Sequence, residues 1–423
     1  MMKQVWKKGV AAVCAVGTTL AMVPFSASAL SMEPAAVKVL AIGDDCLAQV
    51  EGMTSSVEYV ADYLGGTWVN RAEIGRKASD LVEDLKTDAS LRTDVQEADV
   101  ILVSIGVNDI ISPILYENTD IIDGSKYSTL ESLANGMPGD MNKIMELDSR
   151  LMKSLPNTVA EANAAIAEAV QLIRNENSSA NIVVQKVSNP LAVDFKALSD
   201  TVSQNRRAAL STLFTYLEAC LLGGSDASAP IVSVGVNEAI SSLPNVAVAD
   251  FYEPYVGAVG EKALGFYLSN IANLDMTFTA VGQVVAASAA INADKALSNG
   301  DGSVIAAAYD ATGERSNLET LRPALDEMMD TASANTRTAF FLGDVDSNDM
   351  INADDAYLTL KEYATVSVGK PSGFIPTQRR ASDMNNSGAA DADDAYLMLK
   401  YYAACSVGQD VELETFLQEN GRK

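Results

Sequence analysis

The chain has 423 residues, 48% of them hydrophobic, with 56 acidic side chains against 30 basic ones and no histidine. A formal charge of −26 argues against nucleic acid as a partner, because phosphate backbones are bound by clustered lysine and arginine. The absence of histidine removes the commonest general base near neutral pH and the commonest metal ligand, which narrows any mechanism before a motif is read.

At the start of the chain, Lys3, Lys7 and Lys8 form a positive segment, an apolar run follows from Val10 to Val23, and Ala27-Ser28-Ala29 closes with a small-x-small pattern. This predicts a signal peptide over residues 1–29 and a secreted, extracellular protein. The run is shorter than the roughly 18–20 apolar residues that span a bilayer, and it ends in Pro24. No later stretch predicts a transmembrane segment. Removal of the leader leaves 27 basic against 56 acidic residues, a net charge of −29. The cysteines that remain, Cys46, Cys220 and Cys405, are far apart and odd in number, which excludes a disulfide framework.

Residues 30–293 read as one α/β domain. Short apolar runs at Val37–Ile42, Thr67–Asn70, Val100–Ile105, Ile182–Val187 and Val246–Ala249 predict buried strands of a parallel sheet covered on both faces. Between them, Val159, Ala162, Ile166, Val170 and Ile173 share one helical stripe. Leu210, Leu213, Phe214, Leu217 and Leu221 share another, ended by Gly223-Gly224. Trp68, the only tryptophan after the leader, reads as core, so no aromatic platform for sugar is expected. Tyr252, Tyr255, Phe266 and Tyr267 read as packing. The stretch from Ile110 to Leu155 is long for a connection and predicts an insertion over the carboxyl edge of the sheet. Residues 294–340 are polar and alanine-rich, with Gly300-Asp301-Gly302, and read as a semi-ordered linker holding one helix near Leu318–Met329.

Residues 341–408 carry an internal repeat. Asn352-Ala353-Asp354-Asp355-Ala356-Tyr357-Leu358, then Leu360-Lys361, matches Asp391-Ala392-Asp393-Asp394-Ala395-Tyr396-Leu397, then Leu399-Lys400. Oxygen-bearing residues precede each copy at EF-hand spacing. These are Asp344, Asp346, Asn348 and Asn352 before Asp355, then Asp383, Asn385, Ser387 and Asp391 before Asp394. A turning loop presents alternate side chains to its centre, and Ca²⁺ takes six to eight oxygens, one from a backbone carbonyl, here Met350 or Ala389. Two bound Ca²⁺ ions are expected. Asp349 stands where the first loop would have its turn glycine, whereas the second keeps Gly388, so the two affinities should differ. Residues 409–423 read as a tail.

The paired loops with near-identical following helices resemble the dockerin module of bacterial cellulosomes, a small all-α calcium-binding fold. The resemblance implies a partner, the cohesin domain of a scaffoldin. It also implies recognition through Ala353, Asp354 and Lys361 of one repeat and Ala392, Asp393 and Lys400 of the other, with a two-fold-related alternative pose.

In the α/β domain, the first strand ends Gly43-Asp44-Asp45-Cys46, the second leads to Ile74-Gly75, and the third ends Gly106-Val107-Asn108-Asp109. This order resembles the SGNH/GDSL hydrolases, a flavodoxin-like family of esterases, lipases and carbohydrate deacetylases. The resemblance assigns Gly75 and Asn108 to an oxyanion hole and gives Asp45 the position of the nucleophilic serine. Aligned on Gly282, Thr277 takes the position of the histidine base, with Asp275 near it. Losing either member of a nucleophile–base pair costs several orders of magnitude in rate, and here both are replaced. One reading, which the sequence does not separate from the next, is that Asp45 and Thr277 hydrogen-bond across an inert site. The alternatives are a pocket that holds an acyl or sugar group, such as plant cell-wall polysaccharide or an acylated sugar, without cleaving it, and an active carbohydrate esterase working through an atypical site, for instance an Asp45–Asp275 pair.

Overall fold

The computed structural model describes residues 37–420, apart from 199–201, 225–230, 251, 253–262, 295, 296, 298, 299, 336–340, 349, 371, 375 and 410. The predicted leader, Tyr255 and Asp349 lie outside the described residues. The described chain divides into two units, Ala36–Thr338 with Thr365–Thr377 and Ala339–Ala364 with Gln378–Lys423.

In the larger unit all five predicted strands form, as β1 (Lys38–Gly43), β2 (Thr67–Ala72), β3 (Val100–Ser104), β4 (Asn181–Gln185) and β5 (Ala247–Ala249). They pair in parallel in the order β2-β1-β3-β4-β5. That is the flavodoxin-type order, whose direction of winding reverses between β1 and β3. The helices before the last strand are α1 (Ser56–Leu64), α2 (Ala78–Thr87), α3 (Ala89–Glu97), α4 (Val107–Leu115), α5 (Leu130–Gly136), α6 (Met141–Glu176), α7 (Gln204–Leu222) and α8 (Val236–Ser241). After it come α9 (Gly265–Leu268) and α10 (Ala280–Ala293).

Helix α1 packs with α10, whereas α2, α3, α4 and α8 pack with α6, so the sheet is covered by two helical layers. The runs in β1, β3 and β4 are buried almost throughout, as a doubly covered parallel sheet requires. Both predicted helical stripes are buried, one on α6 and one on α7. Gly223 caps α7. The Ile110–Leu155 stretch is largely helical, supplying most of α4, all of α5 and the first turns of α6. No helix among the described residues is long and apolar enough to cross a membrane.

Two expectations fail in this unit. Trp68 is not core: it lies on edge strand β2 and is 39% exposed. The segment after α10 is not a linker either, since it folds into α11 (Gly302–Thr312), α12 (Arg315–Leu321) and α13 (Pro323–Ser333), which pack on α10 and α1. The single helix expected near Leu318–Met329 is two, because Pro323 begins α13. Ile305, Tyr309, Leu318, Leu325 and Met329 are fully buried and belong to the same core as the sheet. Arg315 ties the three helices together, stacking on Tyr309 and pairing with Asp310, Asp326 and Asp330.

The smaller unit contains most of α14 (Ala353–Ser367) and α15 (Pro376–Ser382), with α16 (Ala392–Ser406) and α17 (Leu413–Asn420). Ile351, Ala356, Met384, Ala395 and Met398 are buried. The residues read as a tail form α17, which buries Leu413, Phe416 and Leu417 and sets Phe416 edge-on against Tyr401 at 5.3 Å.

Candidate functional site

Strand-end loops at the reversal between β1 and β3 bring Asp45, Gly75 and Asn108 together. Asp44 and Asp45 follow β1, Gly75 follows β2, and Asn108 lies in the first turn of α4 after β3. The Gly75 N–H donates to Asp45 Oδ2 at 2.8 Å, and Asn108 Nδ2 donates to the same oxygen at 2.6 Å. Asn108 Nδ2 also reaches the Arg76 carbonyl at 3.2 Å. One carboxylate oxygen thus sits on the two donors that the sequence resemblance assigned to an oxyanion hole. The Asp45 carboxylate supplies the negative oxygen such donors would stabilise in a transition state, and it is 4% exposed.

Thr277 is engaged elsewhere. Its N–H donates to Asp275 Oδ1 at 2.8 Å, and its hydroxyl accepts from Asn270 Nδ2 at 2.9 Å. The Asn270 N–H reaches the Thr277 carbonyl, beside a bridge between Ser269 and Phe278. The Asp45–Thr277 hydrogen bond of the first reading is therefore not formed, because each side chain is satisfied by other partners. Asp275 is likewise committed to the Thr277 amide. Sequence reasoning missed Asn270, and a polar side chain following a buried Leu268-Ser269 pair was the only signal for it.

It also passed over Asp44, which is fully buried and accepts from Ser104 Oγ, Cys46 N and Val107 N, each at 3.3 Å. Burial pushes its carboxyl up to about 8, with the charge of Asp45 adding to the effect. Burial thus favours the protonated form of Asp44 beside the Asp45 carboxylate. Burial also holds the neighbouring Cys46 thiol well above its ordinary range, which leaves it a poor nucleophile. Tyr116 stands at the rim, where burial and then the Asp45 charge raise its hydroxyl.

In the smaller unit the two loops share several hydrogen bonds at matching positions. Asp355 Oδ1 accepts from Val345 N and Asp346 N, and its Oδ2 accepts from Asn352 N. Asp394 accepts at Oδ1 from Asn385 N and at Oδ2 from Asp391 N, without a counterpart of the Val345 bond among the described residues. Asp344 accepts from Asn348 N, and Asp383 from Ser387 N and Gly388 N. Asn352 and Asp391 each accept from the amide two residues on, Asp354 or Asp393, at the start of the following helix. Ser347 and Asn386, at matching positions, both have φ near +60°.

Carboxylate oxygens of Asp344, Asp346 and Asp355 lie within 4.8 Å of one another. The donor set is all oxygen, and the last aspartate of each loop is fully buried. Burial pushes Asp355 up to about 6 and Asp394 to about 7, and it raises Asp383 as well. Hard oxygens gathered around charge that burial opposes fit a divalent cation of Ca²⁺ type. Asn348 Oδ1 accepts from Met350 N, and Ser387 Oγ donates to the Ala389 carbonyl, so these two candidate ligand pairs stand in contact. Outside the loops, Ala353, Asp354, Lys361, Ala392, Asp393 and Lys400 are all exposed.

No family model and no curated protein matches the chain. Among solved structures it is similar to a lipase from goat rumen metagenome, at 14% identity over 61% of this chain and 97% of that one, with a TM-score of 0.33. It is similar to an acetylxylan esterase from Geobacillus stearothermophilus at 13% identity over 62% and 95%, TM-score 0.32. Phospholipase A1 from Streptomyces albidoflavus NA297 is similar at 14% identity over 59% and 95%, TM-score 0.33.

Proposed function

We propose that this is a secreted, calcium-folded docking subunit whose SGNH-like α/β domain does not hydrolyse esters. The observation that carries the reading of the α/β domain is the seat of Asp45 Oδ2 on both Gly75 N and Asn108 Nδ2. An acyl oxygen would have to displace a buried carboxylate from those donors. Asp45 as nucleophile would form an anhydride with an ester, and its neighbours offer no base to direct water at it. An atypical esterase mechanism finds no support in this arrangement.

The docking half rests on the repeated loops and on the helices that follow them. Tyr357 and Tyr396 are exposed at 64% and 61%, and Leu360 and Leu399 at 41% and 42%, so the two repeats offer equivalent apolar positions. Bound calcium would be held by Asp344, Asp346, Asn348, the Met350 carbonyl, Asn352 and Asp355 in one loop. In the other it would be held by Asp383, Asn385, Ser387, the Ala389 carbonyl, Asp391 and Asp394. There it would add positive charge beside carboxylates whose charged form burial opposes. A cohesin partner then meets Ala353-Asp354 with Lys361, or Ala392-Asp393 with Lys400.

The test has two arms. Hydrolysis of aryl acetates and acetylated xylan should stay at background for the native chain and for Asp45→Ala. Native activity that Asp45→Ala abolishes would overturn the inert reading. An Asp45→Ser/Thr277→His double variant asks whether emptying the hole and restoring the pair revives the frame. In the second arm, a panel of cohesins should include one that binds in calcium and is released by chelator. Binding that survives chelation, or no binding across the panel, would remove the docking half.

A further inference from the structure

The failed expectation for Trp68 opens a site remote from Asp45. Trp68 is exposed on β2, where it lines a cavity of about 150 Å³ together with Lys38, Val69, Asp94, Glu97 and Ala98. A cavity of about 150 Å³ has room for one six-membered ring. Apart from Ala98, which ends α3, the lining comes from β1, β2 and α3 rather than from loops.

The polar groups around it are half committed. Glu97 Oε2 accepts from Lys38 Nζ at 3.1 Å, and Asp94 Oδ2 accepts from Arg71 Nε at 2.6 Å. Glu97 Oε1 and Asp94 Oδ1 have no partner among the described residues, and the Lys38 ammonium uses one of its three donors on a side chain. Each carboxylate is already paired with a cation, so the pocket is close to neutral. It has no net charge with which to select an ionic ligand. What it offers is two acceptors, a donor and an indole. Neutral rings that carry several hydroxyls and an apolar C–H face match that set.

We infer that the Trp68 pocket, lined by Lys38, Asp94 and Glu97, is a binding site for a single ring of a neutral carbohydrate. It is independent of the Asp45 site and requires neither calcium nor catalysis. The free edge of β2 could instead pair with a strand of a second copy, and the experiment separates the two.

Because Trp68 is the only tryptophan after the leader, its emission reports on this pocket alone. The leaderless chain is titrated with xylotriose, cellotriose and mannotriose, and binding is measured in parallel by calorimetry. The expected result is a saturable emission change with at least one trisaccharide, with a Kd on the order of 1 mM. In calorimetry, Glu97→Gln should weaken that binding by up to roughly tenfold, the exchange of a charged acceptor for a neutral one. Trp68→Ala, shown folded by circular dichroism, should abolish it. No saturable change with any of the three sugars would overturn the inference. So would an emission change that follows protein concentration alone and accompanies dimer formation in sedimentation, the signature of edge pairing.

Discussion

Asp45, on the loop after β1, and Asp355, in the first turn of α14, are both buried carboxylates, and they differ in what faces them. Asp45 meets two N–H donors on one oxygen, and burial favours the protonated form of its acidic neighbour Asp44. Asp355 also accepts from backbone amides, but the carboxylates of Asp344 and Asp346 crowd it within 4.8 Å, and its own carboxyl is pushed up. The first arrangement is complete with protein atoms alone. The second gathers three carboxylates at one place, where burial opposes their charge. The same residue type therefore closes one site and leaves the other open to a cation, and each prediction below strains that contrast.

The largest effect is expected from removing calcium. At free calcium of roughly 100 times its Kd, each site adds about 2.7 kcal/mol to the folded state. Chelation should therefore melt the smaller unit well before the larger one, read as a calcium-dependent first transition in circular dichroism. Asp355→Ala with Asp394→Ala should remove that transition's calcium dependence. A melt indifferent to chelator would erase the contrast.

Next in size is Asp45→Ala. It strips the acceptor from Gly75 N and Asn108 Nδ2 and should destabilise the α/β unit by about 1–3 kcal/mol in urea denaturation. Asp45→Asn, which retains an oxygen, should cost less. If Asp45→Ala is neutral or stabilising, the carboxylate is a burden on the fold rather than the occupant that completes the site.

The pH dependence of Asp44 gives a graded signal, read per pH unit rather than as a single step. Its folded carboxyl titrates near 8 and an unfolded one near 3.8, so between those values the folded chain binds the extra proton. Stability of the α/β unit should fall as pH rises through that window, by at most about 1.4 kcal/mol per pH unit, and level off above it. Asp44→Asn should flatten the slope between pH 5 and pH 8. An unchanged slope would mean that Asp44 is ionised in the fold.

How far the sequence carried the reading depends on which signal each residue sends. Apolar runs announce a strand, and all five strands were legible, but a run does not say whether its strand is central or at the edge. Val100–Ser104 of β3 is buried throughout, whereas Thr67, Trp68 and Val69 of β2 are exposed, although both stretches read alike. Gly300-Asp301-Gly302 looks like flexible linker because glycine and aspartate favour turns. In the fold, a Cβ on Gly300 would lie 2.2 Å from the Tyr63 ring, and Asp301 caps α11 by accepting from Ser303 N. Close packing and flexibility leave the same mark on sequence. At the site, the meeting of Asp45, Gly75 and Asn108 was legible from strand-end motifs. That Asp45 turns onto the hole instead of toward Thr277 was not, because hydrogen-bond choice depends on distances that chain order does not contain.

The smallest expected effect compares the loops with each other. Gly388 has φ of +91°, and its N–H donates to Asp383 Oδ2, an anchor at the first ligand position of the second loop. A Cβ there would meet nothing within 4 Å, so Gly388→Ala adds backbone strain and no clash. Holding an L-residue in that region costs about 1–2 kcal/mol, which should weaken calcium at the second loop roughly tenfold and leave the first unchanged. Calorimetry on the native chain and on Gly388→Ala resolves two sites if their affinities differ, and only one of them should move. Equal weakening of both would show that the loops are coupled through the bond from Gly343 N to the Ala381 carbonyl, which joins the segments just before the two loops. In that case the smaller unit is one cooperative calcium site in two halves, and its contrast with the self-sufficient Asp45 site grows sharper.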